Sequence, residues 1–306
     1  MKNYGLIPEI RKPEDWVFGG DTGIILEILQ TNGHGWDEFL PQKETQSSVW
    51  LDVMGCVTFS ALNVLETLAK RKFDEAWDKS DRFTAKLSGT TKNGNTVSNV
   101  AESIRKNDGI VDEENWAWDK NPSEPVILWA DYYTTIPLNI KDLGATWLKN
   151  YQVNYEWVNP DKNTLKEALK YSPLQVTGVA WYKNSDGLYY SPLKTANHAF
   201  MLYDYVDDDR WLIFDSYDNT KKELVWDFKF ASAFKYYLNK KSMALETLKQ
   251  KNESDIVIKP LKGTIAPIID DWGTYKNLLD KGLITEFKEV DSLGLIKGKR
   301  LTYKEY

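Results

Sequence analysis

The side chains able to do nucleophilic chemistry in this chain are few. Its 306 residues include one cysteine, Cys56, and two histidines, His34 and His198. A single thiol cannot form an intrachain disulfide, so the fold does not rest on an oxidising compartment. One thiol and two imidazoles are also too few for a four-ligand Cys/His zinc site. A lone cysteine is most often an inert packing residue, but the setting of Cys56 points elsewhere. It follows Asp52-Val-Met-Gly and opens the run Cys56-Val-Thr-Phe-Ser-Ala-Leu-Asn-Val-Leu-Glu-Thr-Leu-Ala-Lys. Val57, Ala61, Leu65 and Leu68 share one stripe of that run at helical spacing. At the first position of a helix, free backbone N–H groups and the helix dipole favour an anion. The thiol pKa is therefore expected to fall, populating the nucleophilic thiolate.

His198 sits in Ala196-Asn-His198-Ala-Phe-Met-Leu-Tyr-Asp-Tyr-Val206, at the start of a strongly apolar strand. The next strand, Trp211-Leu-Ile-Phe-Asp215, ends in a carboxylate, and Asp207-Asp208-Asp209 forms the turn between them. In a hairpin the first residue of one strand neighbours the last residue of the other. Asp215 can then accept a hydrogen bond from the His198 ring and fix its tautomer, the orienting role common to catalytic triads. His34, in Asn32-Gly33-His34-Gly35, lies in a turn-like loop and reads as structural. The acidic turn and Asp218 lack the ligand spacing of a calcium loop.

The elements around these residues predict an α+β protein with two lobes, helices dominating the first half and strands the second. Residues 1 to about 50 are irregular, punctuated by Pro8, Pro13, Gly19-Gly20 and Pro41. Ser80 to Val100 reads as loop or short helix, Val97 to Lys106 as a brief amphipathic helix, and Thr164 to Tyr171 as another short helix. Leu174 to Trp181 reads as a strand. Beyond about residue 240 a solvated linker, Lys249 to Asp255, precedes a small segment with one helix, Trp272 to Leu279, closed by Gly282.

The ordered set of motifs resembles the papain-like cysteine peptidases. In that family a cysteine opens a helix with Phe three positions on, as Cys56 and Phe59 do. A His-Ala pair opens a strand, as His198-Ala199 do, and a later strand ends in Asn-Ser-Trp, where this chain has Asp215-Ser216-Tyr217. Asp108 to Trp116 resembles the family's Gly-Gly-Ile turn with its Glu-Glu-Asn sequel. Leu165 to Leu169 with Ser172-Pro173-Leu174-Gln175-Val176 resembles its helix followed by a Gly-Pro-Val strand. These landmarks span roughly residues 40 to 235. The departures are specific. Val53-Met54-Gly55-Cys56-Val57 lacks the family's flanking cysteine and the aromatic after the nucleophile, and Asp215 replaces an asparagine. A carboxylate there is expected to favour the imidazolium more strongly. Trp50 stands where the oxyanion-hole glutamine is usual, which makes Gln46 the nearest candidate.

The resemblance implies a helical lobe and an antiparallel, β-barrel-like lobe facing each other across a cleft. Residues 1–240 form the catalytic domain (with an arm over 1–45), and residues 241–306 form a C-terminal extension available to a protein partner. It implies peptide-bond hydrolysis through Cys56, His198 and Asp215 with Gln46 at the oxyanion, no cofactor and a polypeptide substrate. Cys56 comes too early for an inhibitory propeptide of ordinary size. Two other readings share the motifs: a non-catalytic papain-fold component of a virus particle, since Cys-Val-Thr-Phe-Ser-Ala-Leu-Asn resembles bacterial-virus sequences, and a peptidoglycan amidase or peptidase. The net charge of −6, with both signs mixed along the chain, disfavours nucleic acid. No signal peptide opens the sequence and no stretch approaches 18 apolar residues, so a cytoplasmic or virion-associated location is expected.

Overall fold

The run that opens at Cys56 forms α1 (Cys56–Phe73), and every residue from Cys56 to Ala69 is buried. The apolar stripe seen in the sequence accounts for only part of this. The polar positions are buried too, and several of them bond inside the fold. Ser60 Oγ donates to the Cys56 carbonyl (2.7 Å) and Thr67 Oγ1 to the Asn63 carbonyl (2.7 Å), the back-bonding that lets hydroxyls sit within a helix. Glu66 accepts from the Lys79 backbone N–H (2.6 Å). Lys70, Arg71 and Lys72 lie in the last turn, where the helix dipole favours cations. Asp74 ends the helix in the left-handed conformation, its N–H closing on the last carbonyls.

The structure is a computed structural model that describes residues 2–20, 27–41, 45–48, 51–118, 128–191, 195–207, 209–218, 220–241, 247–250, 256–258, 265–269, 275–276, 288–290 and 296–301. The chain divides into two compact units, Met1–Asn239 and Lys240–Tyr306. Around α1 in the first unit come α2 (Asp81–Leu87), capped by Ser80, and α3 (Val97–Glu102), capped by Thr96, which runs on as a π-helical turn over Ser103–Asn107. These occupy the stretch read from sequence as loop or short helix. Both caps are hydroxyls accepting an N–H three residues on. Then follow α4 (Trp129–Tyr132) and α5 (Leu138–Asn150).

The strand half contains β1 (Tyr151–Val158), β2 (Leu174–Gly178), β3 (Tyr182–Lys183), β4 (Tyr189–Tyr190), β5 (His198–Val206), β6 (Arg210–Asp215), β7 (Thr220–Val225) and β8 (Ser232–Lys240). Helix α6 (Lys162–Ala168) lies between β1 and β2. The sheet order is β1-β8-β2-β5-β6-β7-β4-β3. β5 pairs antiparallel with both β2 and β6, while β4 pairs parallel with β7. The expected barrel-like lobe is therefore corrected to an open, mixed sheet. Its ends, β1 and β3, are not neighbours, and β3 and β4 are two-residue strands, too short to carry the sheet round to closure.

The second unit holds a five-stranded sheet, β12-β9-β10-β11-β13, built from β9 (Thr247–Gln250), β10 (Ile256–Ile258), β11 (Ile265–Ile269), β12 (Lys288–Val290) and β13 (Ile296–Leu301). Lys249 and Gln250, expected in a linker, lie in β9, and residues 251–255 fall outside the described residues. Of the helix expected over Trp272 to Leu279, only Tyr275 and Lys276 are described, and they are helical; Gly282 lies outside. Among the described residues no helix is long and apolar enough to cross a membrane.

Gln175 ties helix to sheet. Its Nε2 donates to the Val57 carbonyl (2.7 Å) and Ser60 Oγ (2.8 Å), while its Oε1 accepts from Tyr236 (2.7 Å), all buried. Replacing Gln175→Met orphans the Tyr236 hydroxyl inside the core. A loss of about 1–3 kcal/mol is expected in urea unfolding of the full chain; an unchanged midpoint would contradict the role given to this side chain.

Candidate active site

The loop before Cys56 is fixed on several sides. Asp52 Oδ1 accepts from the Met54 N–H (3.0 Å), and Met54 takes the left-handed backbone conformation (φ 53°). That conformation costs a non-glycine residue roughly 1–2 kcal/mol. The Val53 carbonyl accepts from the Tyr133 hydroxyl (2.6 Å), and the Val53 N–H donates to the Gln46 carbonyl (3.2 Å). Gly55 then leads into α1, which brings the thiol against β5.

Cys56 is fully buried. Burial pushes its thiol well above the ordinary range. Hydrogen bonds from the Ala199 and Val57 backbone oppose the shift, and the charges of Asp215 and Asp52 add to it. The expected lowering at the helix start is therefore corrected. Desolvation of the thiolate outweighs the helix terminus while the site is covered.

His198 and Asp215 meet as the hairpin requires. Met201 pairs with Phe214 in the β5/β6 register, which leaves His198 and Asp215 diagonal to one another on one face. His198 Nε2 lies 2.8 Å from Asp215 Oδ1, and the Tyr217 N–H donates to the same oxygen (3.1 Å). Asp215 Oδ2 accepts from Lys222 Nζ (2.8 Å). Burial alone would push the Asp215 carboxyl up. His198 and Lys222 overcome it and hold the group well below the usual carboxylate range. His198 Nδ1 is buried and unpartnered, so it is the ring nitrogen left for chemistry. The ring is boxed by Tyr4 (centroids 5.1 Å), Trp181 (5.5 Å), Phe200 (5.7 Å) and Tyr217 (6.3 Å).

Gln46 stands at the same place. Its backbone N–H donates to the Ser216 carbonyl (2.9 Å), next to Asp215, and its side-chain Nε2 donates to the Tyr4 carbonyl (2.9 Å). Trp50 lies outside the described residues. Residues 2–7 run past the site with a bend at Gly5. The Tyr4 N–H donates to the Asn197 carbonyl (3.1 Å), and Asn197 Nδ2 donates to the Lys2 carbonyl (2.7 Å). The Gly5 carbonyl accepts from the Asn95 N–H (2.9 Å), and the Ile7 N–H donates to the Asn95 carbonyl (2.9 Å). Gly5, at φ 109°, passes so close to the loop before Cys56 that a Cβ would lie 2.1 Å from the Met54 carbonyl oxygen. Gly94 meets it from the other side, where a Cβ would lie 2.0 Å from the Gly5 carbonyl oxygen.

Of the four residues expected at the site, His198 and Asp215 are in contact, Cys56 bonds to the backbone of Ala199 next to His198, and the Gln46 N–H bonds to Ser216 next to Asp215. His34 lies apart, its Nδ1 2.5 Å from Asp204 Oδ1, fastening its loop to β5. Among the described residues no cluster of three or more His, Cys, Asp or Glu side chains is arranged to hold a metal. Sequence reasoning missed Asn197, Lys222 and residues 2–7 as parts of the site. Only Lys222 left a signal: in β7 it alternates with exposed Lys221 and Glu223 and shares a face with buried Leu224.

No protein-family model and no curated protein matches the sequence. Solved structures do. The chain superposes on the cysteine protease and lectin-like domains of Cwp84, a surface layer associated protein of Clostridium difficile, with a TM-score of 0.58 at 17% identity, over 84% of this chain and 61% of that one. The clostridial cysteine protease Cwp84 after propeptide cleavage gives a TM-score of 0.53 at 17% identity, over 72% and 61% of the two chains. The chain spans less than two thirds of either. The likeness is one of fold: a helical lobe and an open, mixed sheet that resemble the two-lobed fold of papain-like cysteine proteases.

Proposed function

We propose that the chain is a cysteine peptidase in which Cys56 attacks a peptide carbonyl. The attacking sulfur forms a tetrahedral adduct, and its oxyanion accepts from the Gln46 amide and the Cys56 backbone N–H. His198, protonated at Nδ1 by the thiol, passes that proton to the leaving amine as the C–N bond breaks. Water, deprotonated by the same nitrogen, then cleaves the thioester and regenerates the thiol. Asp215 holds Nε2 throughout, fixing the ring and favouring its charged form.

The observation that carries this reading is the peptide already held at the site. A carbonyl (Tyr4) rests on the Gln46 amide and an N–H (Tyr4) on the Asn197 carbonyl, beside a histidine whose Nδ1 is unpartnered and whose neighbour Ala199 bonds the Cys56 thiol through its backbone. A groove that binds backbone in this way favours a polypeptide substrate. Because Tyr4 touches His198 and Gly5 touches the loop before Cys56, the proposal includes residues 2–7 as a cover over the thiol that moves before substrate reaches it.

Two outcomes test the proposal. In hydrolysis of a casein-type substrate, Cys56→Ala is expected to abolish activity, and Gln46→Ala to lower kcat by about a hundredfold or more; full activity in Cys56→Ala would overturn the reading. For the covering segment, Gly5→Ala forces a Cβ into the Met54 carbonyl and disfavours the bound backbone. Exposure relieves the desolvation that holds the thiol neutral, so the thiolate fraction near pH 7.5 rises. Iodoacetamide is then expected to alkylate Cys56 about tenfold faster or more. An unchanged rate would show that residues 2–7 do not restrict access.

A further inference from the structure

The carboxylate behind His198 is not alone. Asp215 and Lys222 are both buried, at 2% and 5% exposure, on adjacent strands. The β6/β7 register pairs Asp215 with Thr220 and Ile213 with Lys222, so Lys222 stands diagonal to Asp215 on the same face. Its ammonium has three protons and three acceptors: Asp215 Oδ2 (2.8 Å), Thr220 Oγ1 (2.7 Å) and Asp218 Oδ1. Trp181 (5.7 Å) and Tyr189 (5.9 Å) present their rings to it. One carboxylate is therefore shared between an imidazole on one oxygen and a buried cation on the other.

The charges have a consistent order. In the reactive state proposed above, the buried groups in sequence are thiolate, imidazolium, carboxylate and ammonium, alternating in sign and summing to zero; Asp218, the other carboxylate on Lys222, is half exposed and water screens its charge. Without the ammonium they sum to −1 in a place where water screens poorly. A bare carboxylate would over-stabilise the imidazolium and oppose the thiolate; the charge of Asp215 already acts against ionisation of Cys56. The sequence alone suggests that putting Asp where the resembling family has Asn strengthens the hold on the imidazolium, but the cation on the far oxygen offsets that gain.

Resting on the Cys56–His198 reading, we propose that Lys222 is a positioning residue of the site: it neutralises and clamps Asp215, so that the pair presents His198 with a fixed acceptor of nearly zero net charge. The other charged or titratable groups around the site are Asp218 beside Lys222, Asp52 in the loop before Cys56, and Lys2, Tyr4 and Tyr217 on the covering side. None of these bonds to the Asp215 carboxylate through its side chain as Lys222 does.

The test is an NMR titration of the two histidines in the full chain, assigned with His34→Gln, alongside the pH profile of Cys56 alkylation. Removing the cation with Lys222→Met is expected to move the His198 titration midpoint up by about one pH unit or more, and Asp215→Asn to move it down by a similar amount. The double variant Asp215→Asn/Lys222→Met, again balanced in charge, returns it to within about half a unit of the wild type, and Lys222→Arg leaves it there. Should Lys222→Met not fold, the double variant must still titrate above Asp215→Asn. A midpoint indifferent to Lys222, with only thermal stability lowered, overturns the proposal and leaves Lys222 as a tie for the β6/β7 turn. If Cys56 resists alkylation in the wild type and Gly5→Ala alike, the peptidase reading fails instead.

Discussion

A 2.8 Å contact between His198 Nε2 and Asp215 Oδ1 decides how the rest of the site is arranged. Two strands joined by a short acidic turn bring these residues together, and β2 on the other flank of β5 pairs Gly178 with the histidine. With Nε2 engaged, Nδ1 is the nitrogen that remains, and α1 delivers Cys56 to the backbone of the very next residue, Ala199. Neither lobe alone contains this constellation. Gln46 and Val53 join them, Gln46 bonding to Ser216 just after β6 and Val53 to Tyr133 of the helical lobe.

Two physical effects compete at Cys56. A helix N-terminus and two backbone hydrogen bonds favour the thiolate; complete burial disfavours it, and burial prevails. Residues 2–7 lie against the same site: the Tyr4 ring leans on His198, and Gly5 packs on the Met54 carbonyl. Close approach at Gly5 and Gly94 is what lets the segment lie so deep, since any side chain there would meet a carbonyl oxygen.

Much of this is written locally in the sequence. Cys56 at a helix start, His198 at the head of an apolar strand and Asp215 at the end of the next are positional signals, each readable within about ten residues. Gln46 was reachable by counting back from the cysteine. What was not legible depends on distant pairing. β1 and β8 lie on the same side of β2 although some 80 residues separate them, and nothing local in Tyr151–Val158 announces that the sheet stays open. Residues 2–7 show no periodicity, because most of their bonds are made by the backbone to partners distant in sequence, such as Asn95 and Asn197. Burial of α1 on all sides was hidden for a related reason: Ser60, Glu66 and Thr67 look solvent-facing until Lys79 and the helix's own carbonyls are seen to satisfy them.

The central claim is that the thiol of Cys56 is activated by His198 within a peptide-binding groove. A peptidyl epoxide of the kind that alkylates thiol peptidases, incubated with the native full chain and located by peptide mass spectrometry, tests it most directly. The account expects an adduct on Cys56 that forms at least about tenfold more slowly in His198→Gln, while iodoacetamide labels both chains equally once they are denatured. A native chain that takes up no epoxide, or one that reacts at the same rate without His198, would contradict it.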